Sequence, residues 1–64
     1  MKYKIRLYTL GEESSVVKVG EFHTIKSATF ECRRLLNTYP RLWKCEVCEA
    51  HKSGLVKIKT IIAQ

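Results

Sequence analysis

Sixty-four residues with twelve Lys or Arg against six Asp or Glu give one small domain, residues 1–64, with a formal net charge of +6. A chain this short has little room for a deep cleft, since ligand pockets typically run to roughly 300–1,000 Å³. Hydrophobic residues at 45% and charged residues at 28% exclude a disordered tail. The balance therefore favours a non-enzymatic binding module, and the charge favours a polyanion as ligand.

Residues 2–9 read as a strand, with Tyr3, Ile5, Leu7 and Thr9 on one face and Lys2, Lys4, Arg6 and Tyr8 on the other. The polar run Gly11-Glu12-Glu13-Ser14-Ser15 is a turn, and residues 16–22 return as a second strand whose Lys18 lies between Val17 and Val19. Gly20 marks a bend or bulge near its end. Thr24 is a helix N-cap, with Phe22 placed for a hydrophobic staple. Apolar positions at Ile25, Ala28, Cys32, Leu35, Leu36 and Tyr39 form one continuous helical stripe, and Pro40 stops it. Residues 42–50 read as a third strand with Trp43, Cys45 and Val47 facing inward and Lys44 outward. A turn at His51-Lys52-Ser53-Gly54 leads to a last strand over 55–62, with Lys57 and Lys59 alternating with Val56 and Ile58.

These elements predict an α+β fold: a two-layer ββαββ domain with a single helix packed on one face of a four-stranded, mainly antiparallel sheet. Its core is Tyr3, Ile5, Leu7, Val17, Val19, Phe22, Ile25, Ala28, Cys32, Leu35, Leu36, Trp43, Cys45, Val47, Val56, Ile58 and Ile62. Strand order stays open, beyond the two hairpins making neighbours of the first pair and of the last pair.

The junction Gly20-Glu-Phe22-His-Thr24-Ile-Lys-Ser-Ala28 resembles the strand-to-helix junction of the arm-type DNA-binding domains of phage integrases, which often read G-x-F-x-T-x-x-x-A. In that family a small sheet enters the major groove and the helix backs it, so the resemblance implies DNA contact through the sheet. The family places three strands before its helix, whereas this chain places two before and two after.

No constellation of catalytic residues stands out. Cys45-x-x-Cys48-x-x-His51 has the ligand types of a zinc site, with Cys32 or His23 as a fourth. On a strand, however, residues three apart face opposite sides, which makes Cys45 a core residue and Cys48 an outward one. Cys48 and His51 lack a third orienting group and an oxyanion loop, and the carboxylates form no acid–base pair. No metal and no cofactor is expected.

Two surfaces are candidates for binding. The outer sheet face gathers seven of the basic residues, Lys2, Lys4, Arg6, Lys18, Lys44, Lys57 and Lys59, with Tyr8 as its one aromatic. Lysines on a flat sheet can follow a phosphate backbone and release counterions, giving weakly sequence-specific nucleic-acid binding. The opposite side of the helix presents Phe30 ringed by Lys26, Arg33, Arg34 and Asn37, an anchor for a cellular protein. The alternative function is thus a stand-alone adaptor or inhibitor of the kind that phages and mobile elements encode, acting through that helix face or a sheet edge.

Homodimerisation is plausible for so small a core, through Val16, Leu55 and Ile61 as exposed apolar positions. No targeting segment or apolar run of membrane-spanning length appears. Three cysteines, an odd number, read as reduced thiols in a cytoplasmic protein without membrane contact.

Overall fold

The structure, a computed structural model, describes residues 2–10, 15–17 and 20–63, with 15–17 as backbone alone. Strand β1 (Tyr3–Thr9) pairs antiparallel with β3 (Leu42–His51), and β3 pairs antiparallel with β4 (Gly54–Ile62). One helix, α1 (Ile25–Thr38), packs against this antiparallel sheet, making the fold α+β.

The second strand is where the architecture departs from expectation. Among the described residues the sheet has three full strands, not four. Among the described residues of the predicted strand over 16–22, a ladder forms at the three-residue β2 (Ser15–Val17), which pairs with Arg6–Tyr8 on the far side of β1. Gly20, at φ +131°, turns the chain, and Phe22 rejoins β1 through a single bridge to Tyr3. An L side chain rarely adopts that φ, which is why glycine stands there. The order across the sheet is β2-β1-β3-β4, so β3 is central and β4 is an edge.

The helix follows its sequence closely. The Thr24 hydroxyl accepts from the Ser27 backbone N–H and the Ala28 N–H reaches the Thr24 carbonyl, which satisfies the first turn. At the other end Tyr39 leaves helical geometry ahead of Pro40 while its N–H still donates to the Leu35 carbonyl. Ala28, Cys32, Leu35 and Leu36 face the sheet. They pack with Tyr3, Ile5, Leu42, Cys45, Val47 and Ile61, and Leu7, Phe22 and Ala63 close the margins.

A disulfide joins Cys32 on α1 to Cys45 on β3, with Cα atoms 5.9 Å apart. Reduced thiols at both positions were the expectation. The helix stripe and the inward phase of β3 bring the two sulfurs together, leaving Cys48 as the free cysteine.

Two register shifts revise the predicted core. In β3, Tyr8 pairs with Lys44 but Thr9 pairs with Leu42, so Trp43 is the extra residue. Leu42 takes the core position and Trp43 is turned out to 37% exposure. In β4, Val47 pairs with Lys59 but Cys48 pairs with Lys57, so Ile58 is the extra residue. Alternation reverses beyond it: Ile61 is buried at 6% and Ile62 is exposed at 53%, the opposite of the expected assignment. Val56 and Ile58 are exposed because α1 lies over β3 and β1 and leaves the edge strand largely uncovered. Ile25, in the first turn, is also exposed. Val19 and the side chains of Val16 and Val17 lie outside the described residues.

Candidate functional site

The register sorts the basic residues into two groups. Lys4 lies opposite Cys48, which lies opposite Lys57; Arg6 lies opposite Glu46, which lies opposite Thr60; Tyr8 lies opposite Lys44, which lies opposite Ile62. These three rows form the outer face of the sheet. Each cation has a neutral or acidic residue across the ladder, so no like charges are directly opposed. Without the extra Ile58 in β4, Lys59 would share this face with Lys57.

Glu46 organises the middle of the face. It is only 6% exposed, accepts a hydrogen bond from the Tyr8 hydroxyl at 2.7 Å, and lies 3.6 Å from the Arg6 guanidinium and 3.9 Å from the Lys57 ammonium. These hydrogen-bonding and charged partners offset the cost of burying a carboxylate. Arg6 is held above the ordinary arginine range, chiefly by its hydrogen bond with Tyr8, with Cys48 and Glu46 adding to it and burial acting against it. The Cys48 thiol is fully buried although no helix covers this face. It sits between Lys4 and Lys57 across the ladders, and long aliphatic stems shield apolar neighbours in this way.

The end of the face near Lys44 is aromatic. Turned out of the core, Trp43 lies beside Tyr8 with ring centroids 6.5 Å apart and planes inclined at 60°. The Lys44 ammonium stands 4.2 Å from the Tyr8 ring centre and 5.0 Å from that of Trp43, a cation–π contact with both. Sequence reading gave this face one aromatic and placed Trp43 inside. The clue available was the adjacent pair Leu42-Trp43, of which alternation buries one; leucine is the more often fully buried of the two.

The face therefore unites Lys4, Arg6, Tyr8, Lys44 and Lys57 from the predicted set. Lys2 precedes β1 at its margin, where its ammonium pairs with Glu21 at 3.5 Å. Lys59 is not on this face: it lies on the helix side, bordering a groove with Lys26, Phe30 and Arg33. Lys18 lies outside the described residues.

The helix cluster is divided as well. Phe30 is the most exposed large apolar side chain described, at 71%. Arg34 turns away to Glu31, which holds its guanidinium above the ordinary range. Asn37 borders a separate recess of ≈ 190 Å³ with Arg33, Leu36 and the end of β4.

Cys45 and Cys48 face opposite sides of the sheet, Cys45 is in the disulfide and His51 contacts Glu49. Among the described residues no group of three or more His, Cys, Asp or Glu is placed to hold a metal ion, and no helix is long and apolar enough to cross a membrane.

Comparison with protein-family models, with characterised proteins and with solved structures finds no match.

Proposed function

We propose that the chain is a non-enzymatic nucleic-acid-binding protein that holds a single strand on the outer face of its sheet. The observation that carries this reading is the Tyr8–Trp43 pair beside Lys44 on a cationic face. Single strands are bound by aromatic rings on which bases stack, flanked by a cationic track for the phosphates, with little dependence on sequence. Lys4, Arg6, Lys44 and Lys57 supply the track, with Lys2 at its margin and Lys18 extending it if the second strand continues beyond β2 as a fourth full strand. Glu46 offsets one of these charges and aligns Tyr8 and Arg6. In this reading an incoming base displaces the Lys44 ammonium from the rings, and Lys44 then meets the neighbouring phosphate.

The chain reports on its own site, because Trp43 is its one tryptophan. Titration with an oligothymidine at low salt is expected to quench Trp43 fluorescence, and the affinity is expected to fall steeply as salt rises. Replacing Trp43→Ala should cost about 1–3 kcal/mol of binding, the scale of one stacked base. Unchanged fluorescence and no binding to single or double strands at low salt would overturn the reading. The proposed compartment is the cytoplasm, where disulfides are uncommon. Thiol labelling in fresh lysate checks that part by reporting whether Cys32 and Cys45 are paired in cells.

A further inference from the structure

We infer a second, separate binding surface: the groove between α1 and the β4 edge, built for an acidic peptide segment of a partner protein that carries an apolar anchor. The groove has a volume of ≈ 450 Å³ and is lined by Ile25, Lys26, Thr29, Phe30, Arg33 and Lys59. Three of those six are cations and none is a carboxylate, so the wall selects negative charge. Ile25 and Phe30 are exposed on it and add apolar surface beside the cations.

Lys59 belongs to this wall because of the extra residue Ile58. The shift carries Lys59 across the sheet, away from Lys57 and toward the helix, and Ile58 and Val56 are exposed on the same edge strand. Among the described residues no strand pairs with the outer edge of β4, so an extended peptide has backbone groups to meet as well as side chains. A second copy of the chain suits the groove poorly. It would bring another +6 molecule against the cations, and pairing β4 with its own copy would crowd Lys57 and Lys59 against their equivalents.

The test uses a short labelled peptide alternating glutamate with leucine and phenylalanine, and a matched peptide with glutamine for glutamate, in fluorescence anisotropy at low salt. The glutamate peptide should bind and the glutamine peptide should bind at least about ten-fold more weakly. Lys59→Glu and Phe30→Ala should each weaken binding about ten-fold or more, with thermal melts confirming that these exposed substitutions leave the fold intact. Lys4→Glu, on the opposite face, should leave peptide binding unchanged, and Lys59→Glu should leave oligothymidine binding unchanged. Equal binding of both peptides, equal loss from Lys4→Glu and Lys59→Glu, or no binding at all would overturn the assignment. So would a dimer in light scattering that Phe30→Ala dissolves, because the groove would then be a self-interface. The oligothymidine titration is independent of these results, so failure of one surface leaves the other standing.

Discussion

The two faces of one sheet bury their residues by different means. On the helix side Ile5, Cys45 and Val47 are closed off by α1, which the Cys32–Cys45 disulfide ties to the central strand. On the outer side Glu46 and Cys48 are as inaccessible as a core, yet no helix lies over them. Tyr8, Arg6 and Lys57 stand around Glu46, and Lys4 and Lys57 lie across the ladders from Cys48. The first face is stabilised by apolar packing and a covalent link. The second is held by charge and hydrogen bonds, and the same groups are those proposed to meet phosphate. Stability and binding should thus be separable on one face and coupled on the other.

The strongest way to break the comparison is on the packed side. Ile5 has no exposed surface, and Ile5→Ala should cost roughly 2–5 kcal/mol by lost burial and a residual cavity. That approaches the whole stability of a domain this small, so urea melts should show a large drop in midpoint or an unfolded chain. Removing the disulfide should come next. Its cysteines are 13 residues apart, and a loop of that size corresponds to about 3 kcal/mol of unfolded-state entropy. Reductant, or Cys32→Ser with Cys45→Ser, should lower the melting temperature, and mass spectrometry of the unreduced chain should find one free thiol, at Cys48. Three free thiols in protein purified under oxidising conditions would contradict the pairing.

A smaller effect should separate the faces more sharply. Glu46→Gln keeps the shape and an acceptor for Tyr8 but removes the carboxylate that Arg6 and Lys57 share. A cost of about 1.5–3 kcal/mol is expected, as for a hydrogen bond to a charged group. The same change should raise oligothymidine affinity at low salt, since the face gains a unit of net positive charge. Ile5→Ala offers no such trade. If Glu46→Gln destabilised without strengthening binding, the outer face would be held by charge but would not be a phosphate surface.

How much of this was legible beforehand follows from how local each signal is. The helix could be read almost residue by residue, because Thr24, the stripe from Ala28 to Leu36 and Pro40 each act within one or two turns. The Cys32–Cys45 contact was half legible: both positions read as core, but their oxidation did not. The β4 phase was not legible, because Ile61 and Ile62 are adjacent and chemically identical, so alternation accepts either one inward. Pairing with β3 settles it through the extra Ile58, and that is a long-range choice. The same holds for Leu42 and Trp43 against β1. The outer face therefore differs in membership from the one that simple alternation gives. It lost Lys59 and gained Trp43, because one inserted residue in each of two strands moved a side chain across the sheet.

The subtlest difference between the faces should appear with pH. Burial lifts the Cys48 thiol above the ordinary thiol range, with Glu46 adding to the rise and Arg6 and Lys57 opposing it. In the unfolded chain this thiol loses its proton near pH 8.5. Between that point and its higher folded value, the folded state keeps a proton that the unfolded state has released, so stability falls as pH rises. The contribution is complete below about pH 8.5 and declines above it. Cys48→Ala removes this titration while leaving the lysines and tyrosines common to both proteins. The stability difference between the two chains, measured by urea melts in steps upward from neutral pH, should be constant at first and then move in favour of the alanine variant. Parallel curves throughout would mean that the thiol ionises as freely in the folded chain as in the unfolded one. The lysine and arginine side chains would then not be sealing the outer face, and its burial would have to come from elsewhere.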